Sequence, residues 1–77
     1  MEKTEMIKML DGVKLSELKH IKEVSYYNHN VYIFGNNLIK AISNDDNTTD
    51  VYIISDNGLE TIGECFSSEN DIIHVYK

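Results

Sequence analysis

The chain has 77 residues, 42 per cent hydrophobic and 26 per cent charged, with no Pro, no Trp and a net charge of -6. That length allows one domain whose core supplies roughly 3 to 5 kcal/mol of net stability. The single cysteine, Cys65, rules out a disulfide-stapled secreted scaffold and predicts a reducing, cytoplasmic setting. No apolar run reaches membrane-spanning length and residues 1–9 do not read as a signal peptide, so neither secretion nor membrane insertion is expected.

The chain reads as helix first and sheet afterwards. Met6, Ile7, Met9 and Leu10 mark one helical face, and Asp11-Gly12 supplies a stop, which predicts a first helix over about residues 4–11. Leu15, Leu18 and Ile21 recur every third residue and predict a second short amphipathic helix from Ser16. Neither is long enough to be stable alone. Residues 1–22 are therefore expected to be helical and residues 23–77 to form sheet.

Six runs rich in β-branched and aromatic residues follow: Val24–Tyr27, Val31–Phe34, Leu38–Ser43, Val51–Ser55, Leu59–Glu64 and Ile72–Tyr76. Their separators are too short for parallel crossovers, so neighbours must pair antiparallel. Asn57-Gly58 reads as a primed hairpin turn. Leu59, Ile62, Cys65 and Phe66 also fit a helical face; the preceding turn favours strand. Residues 43–49 are polar enough to predict a mobile loop. The expected fold is α+β, one or two short N-terminal helices packed on an antiparallel meander of five or six strands, with Leu15, Leu18, Ile21, Val31, Ile33, Ile39, Val51, Ile53 and Ile73 in the core.

Charge is uneven along this order. Residues 1–22 carry a net of +1 and residues 23–77 a net of -7, with no lysine or arginine between residues 41 and 76. The chain lacks Arg entirely, which removes the bidentate fork that reads bases, and its acidic balance opposes phosphate, so direct nucleic-acid binding is not expected. An acidic field favours basic surfaces on other proteins, including their nucleic-acid grooves; acidity for solubility alone is the plainer alternative.

Chemical motifs are sparse. Asp45-Asp46-Asn47-Thr48-Thr49-Asp50 has acidic spacing but lacks the glycine and terminal Glu of a calcium loop, and the three histidines share no ligand spacing. No metal or cofactor is expected. Cys65 and His74 would form a thiolate nucleophile and base if the last two strands bring them together, which is the enzyme alternative; a buried Cys and a wet His are the plainer reading.

Aromatic residues carry more. Alternation places Val31, Ile33, Val51 and Ile53 on one face and Tyr32, Phe34, Tyr52 and Ile54 on the other, and two helices can cover only one of them. A Tyr-rich second face suits an interface. The sequence thus predicts a non-catalytic binding protein, an inhibitor or regulator, that engages a basic partner through Tyr32, Tyr52, Asp45, Asp46, Asp50, Asp56, Glu60 and Glu64. A homodimer through the second face is the companion expectation. The Asn-, Ile- and Lys-rich usage suggests an AT-rich genome, and small acidic motif-free chains are a common style among phage and mobile-element proteins.

Overall fold

A computed structural model describes residues 2–77; Met1, which opens the segment expected to be helical, lies outside the described residues. One α-helix, α1 (Lys3–Leu10), packs on a six-stranded antiparallel sheet. The strands are β1 (Lys19–His20), β2 (His29–Phe34), β3 (Asn37–Ser43), β4 (Thr48–Ser55), β5 (Gly58–Phe66) and β6 (His74–Val75). Their spatial order is their sequence order, the meander that short connections dictate. The α+β expectation therefore holds, with a single α-helix among the described residues.

The second helix does not form. Leu18 N–H donates to the Leu15 carbonyl at 3.0 Å, closing a 3₁₀ turn over Leu15–Glu17, after which the chain extends. A strict spacing of three eclipses side chains, which suits one 3₁₀ turn that buries Leu15 and Leu18 rather than a continuing α-helix. Lys19 and His20 then pair with Ile33 and Tyr32 as β1, so the sheet begins before residue 22. Because Ile21 N–H also bonds the Val31 carbonyl, the edge of β2 is already occupied. The strand expected over Val24–Tyr27 consequently gives way to a 3₁₀ turn at Lys22–Val24 and a tight turn, in which Tyr26 and His29 exchange backbone bonds of 2.9 and 2.7 Å. Ile72–Tyr76 shortens to β6 because Ile73 turns aside to bond with Val13.

Residues 58–66 are strand, which resolves the helix ambiguity. In the β4–β5 turn only Gly58 has positive φ (+105°); Asn57 does not, so the hairpin is closed by one left-handed glycine rather than by a primed Asn-Gly pair. Of residues 43–49, Ser43 belongs to β3 and Thr48 and Thr49 to β4, and side chains bond across the turn between them. Asp46 Oδ1 accepts from Thr48 N–H and Oγ1, and Asn44 Nδ2 donates to Thr48 Oγ1 and Asp50 Oδ2.

The core lies between α1 and one face of the sheet. Met6 and Leu10 meet Ile39, Ala41, Val51, Ile53, Ile62, Cys65 and Ile73, with Leu15 and Leu18 closing one side. Ile21 is only half-buried, Ile33 is exposed, and Val31, though buried, lies on the other face of the sheet, so these three expected core residues are not in it. A bulge in β5 completes the core. Val51 pairs with Gly63 and Tyr52 with Thr61, so Ile62 is the extra residue and its side chain fills the layer beside Val51. Gly63 then leaves room for β6: a Cβ there would lie 2.5 Å from the His74 carbonyl oxygen.

Candidate functional site: the outer face of the sheet

The register decides which side chains share a face. Tyr32 pairs with Ile39, and Ile39 with Ile53, so Tyr32 belongs to the core face, where it and Phe34 pack against the buried cluster. Tyr52 pairs with Lys40, which pairs with Val31, so these three face the other way. The expected grouping of Tyr32 with Tyr52 is therefore corrected: they lie on opposite faces, as do Val31 and Val51. The β2–β3 and β3–β4 hairpins set the relative phase, and alternation within single strands carries no information about it. Burial, Asp71 and Cys65, in that order, raise the Tyr32 pKa.

On the outer face the cross-strand neighbours form three rows. The first is Ile33, Leu38, Ile54 and Leu59, one side chain from each of β2 to β5. Three of them are substantially open, at 37, 39 and 48 per cent for Ile33, Leu38 and Leu59. The second row is Val31, Lys40, Tyr52 and Thr61. Here the 22–26 segment covers Val31, and the Lys40 ammonium lies 5.4 Å from the Tyr26 ring centroid. The third row is His29, Ile42, Asp50, Glu64 and His74.

Asp50 and Glu64 are thus directly opposed on adjacent strands, an arrangement of like charges that destabilises a sheet. Asn44 donates to Asp50, but no salt bridge reaches either carboxylate among the described residues. His74 instead bonds Glu69 at 2.7 Å. The Tyr76 hydroxyl adjoins the pair, and its pKa is raised by desolvation first and then by Glu64 and Asp50.

The remaining expected site residues scatter. Asp45 and Asp46 are exposed at the tip of the β3–β4 loop, the end of the sheet that also carries Asp50 and Glu64. Hydrogen bonds from Thr48 lower the Asp46 pKa. Asp56 sits in the β4–β5 turn at the opposite end. Glu60 pairs with Ile53, hence lies on the α1 side, where its carboxylate meets the Lys3 ammonium. The eight residues do not form one patch; Tyr52, Asp50 and Glu64 are the three brought together on the open face.

Cys65 and His74 are not brought together as a dyad. Cys65 opposes Thr49 and is fully buried in the core, whereas His74 opposes Glu64 on the outer face. Burial, Asp71 and Glu64 push the Cys65 thiol up to about 12, the reverse of nucleophile activation. Among the described residues no group of three or more His, Cys, Asp or Glu could hold a metal ion, and no helix is long and apolar enough to cross a membrane.

Sequence reasoning missed the row Ile33, Leu38, Ile54 and Leu59, because it becomes a patch only across strands. It also missed Tyr76, and Tyr27, which is wholly exposed with φ +49° in the tight turn. No family model matches the chain, and neither a curated protein nor a solved structure matches it.

Proposed function

We propose that the protein is a small non-catalytic interaction module, an inhibitor or regulator, that engages a basic surface of a partner protein. One observation carries this reading: Asp50 and Glu64 stand opposed, beside Tyr52 and Tyr76, on the sheet face away from α1, where the 22–26 segment covers Val31 but not the two carboxylates. In a complex, an incoming guanidinium or ammonium would relieve their repulsion, while the tyrosines offer large, rotor-poor contact area. Asp45 and Asp46 extend the negative field at that end and would steer encounter.

The test is capture of partners from host lysate on immobilised protein, at low and high salt, with Asp50→Asn/Glu64→Gln as the control bait. Basic partners that are lost with salt and with the double variant support the reading; partners that are not basic, or that survive both, defeat it. The exposed apolar row favours a second reading, self-association through the same face. Sedimentation equilibrium decides that one, since a monomer at high micromolar concentration removes it.

A further inference from the structure

We infer that the outer face is the seat for an amphipathic α-helix of the partner, apolar over Ile33, Leu38, Ile54 and Leu59 and basic over Asp50 and Glu64. The inference rests on the interaction reading above and specifies the chemistry of its ligand. The starting point is polarity along the strands. Ile54 and Asp50 lie four residues apart on β4, about 13 Å at the usual strand rise, so the outer face is apolar at one end and anionic at the other, with Tyr52 between them on β4 and Lys40, held against Tyr26, between them on β3. The same distance is about nine residues of α-helix. A helix lying along β3 and β4 would therefore place Leu-type side chains, spaced i, i+3, i+4, on the apolar row. Lys or Arg about nine residues away on the same stripe would reach the carboxylates.

Helix is favoured over the other occupants on three grounds. A sheet face, as distinct from an edge, is covered in two-layer folds by helices or by another sheet. The available edge of β5 is guarded by Glu60 and by the Ile62 bulge, both of which discourage strand addition. A second copy of the chain fits poorly by charge. A two-fold axis parallel to the strands lays the row that holds Asp50 and Glu64 on the same row of the copy, which carries no lysine, and one through the Lys40–Tyr52 row presses it onto the apolar row. Neither arrangement brings a lysine of these rows onto the carboxylates, between molecules of net charge -6.

The chain itself shows this mode on its other face. There α1 opens with Lys3, paired to Glu60, and continues with Met6 and Leu10, which are fully buried against the sheet. A helix with its amino end over Asp50 and Glu64 repeats that arrangement and directs the positive end of its dipole at the carboxylates.

The probe is a synthetic peptide of about 18 residues with Leu at helical spacing in its carboxyl half and Lys and Arg on the same stripe of its amino half. Its twin carries Glu in place of every cation. Titration into ¹⁵N-labelled protein should shift amides of Ile33, Leu38, Tyr52, Ile54, Leu59 and Glu64, spare Met6 and Ile73, and weaken as salt rises. The acidic twin should cause no shifts. Leu38→Ser and Leu59→Ser should each weaken binding by about tenfold, and because both side chains are exposed, circular dichroism should show the fold unchanged.

Absence of shifts at millimolar peptide, or shifts centred on another face, would overturn the inference. So would a stable dimer that Leu38→Asp dissociates, since the face would then belong to a second copy. A lysate partner that is lost with Asp50→Asn/Glu64→Gln but indifferent to Leu38→Ser and Leu59→Ser would leave the interaction reading intact and remove only the helix seat.

Discussion

Gly63→Ala tests the packing argument at its tightest point. An added Cβ would lie 2.5 Å from the His74 carbonyl oxygen, 3.0 Å from the Val75 Cα and 3.1 Å from the His74 carbonyl carbon, all of them backbone atoms. Relief requires β6 to move by about 1 Å, because ordinary carbon contacts begin near 3.5 Å. Two paired residues hold β6 to β5, and Tyr76 N–H bonds the Ile62 carbonyl at 2.9 Å, so a shift of that size stretches this bond past its useful range. It also loosens Val75 from the core and disturbs the fully buried Ile73. Overpacking costs about 1 to 3 kcal/mol and each weakened hydrogen bond about 1 kcal/mol, so we expect a loss of about 3 kcal/mol. Against a total near 3 to 5 kcal/mol, the variant should be largely unfolded in mild urea, and Tyr76 should lose amide protection before the centre of the sheet does. Gly58→Ala is the control. It has open space but positive φ, so it should be strained by about 1 kcal/mol and leave Tyr76 protected. A Gly63→Ala loss below about 1 kcal/mol, with Tyr76 still protected, would refute the close-approach argument.

Three further outcomes follow from individual side chains. Because the Cys65 thiol is pushed up to about 12, the native state keeps its proton while an unfolded chain loses it near 8.5, so stability should fall as pH rises between those values. Cys65→Ala should flatten that slope in alkaline urea titrations, and iodoacetamide should label the native thiol only slowly at neutral pH. Tyr27→Gly should raise stability by about 0.5 to 1 kcal/mol, read as a higher urea midpoint, because a fully exposed tyrosine at φ +49° gains no packing that offsets its strain. Glu64→Gln should stabilise by about 0.2 to 1 kcal/mol at low salt and less at high salt, since it removes one of two opposed carboxylates; a salt-independent loss would contradict the pairing.

Much of the fold was legible because its determinants are local. Short polar connections force antiparallel neighbours, and runs such as Leu38–Ser43 and Val51–Ser55 have no helical period, so a meander was the only consistent topology. Segments whose fate depends on distant partners were misread. Leu15, Leu18 and Ile21 have a spacing that one 3₁₀ turn satisfies as well as a helix does, and what stops the helix is that Lys19–Ile21 find the open edge of β2. Tyr26 and Tyr27 have strand-type side chains, but that edge is already taken. The candidate site was less legible still. Residue type marks Tyr52 and Glu64 as members of strands, but it leaves Asp50 in the turn before Val51, whereas β4 begins at Thr48 and includes it; grouping the three also requires the phase between hairpins, which sets Tyr32 on the core face. Glu60 is separated from Glu64 by the bulge at Ile62, without which both would project from the same side of β5.

The distribution of unfavourable features between the two faces has a physical meaning. Beneath α1, fully buried apolar side chains interlock and Glu60 has a cation. On the outer face, three of the four aliphatic side chains in one row are open to solvent and two carboxylates oppose each other without a salt bridge, and at the adjoining end of the sheet Tyr27 adopts a backbone conformation that glycine would fill at less cost. Each of these costs at most about 1 to 3 kcal/mol, but a domain with only a few kcal/mol of net stability is exposed to selection against their sum. Substitutions that remove them are single-residue changes and need no rearrangement of the core. Selection for folding alone therefore acts on both faces alike and gives no reason for the asymmetry, whereas a ligand that neutralises Asp50 and Glu64 and covers Leu38 and Leu59 supplies one. On this argument, stabilising substitutions should concentrate on the outer face, and the same substitutions should weaken the complex.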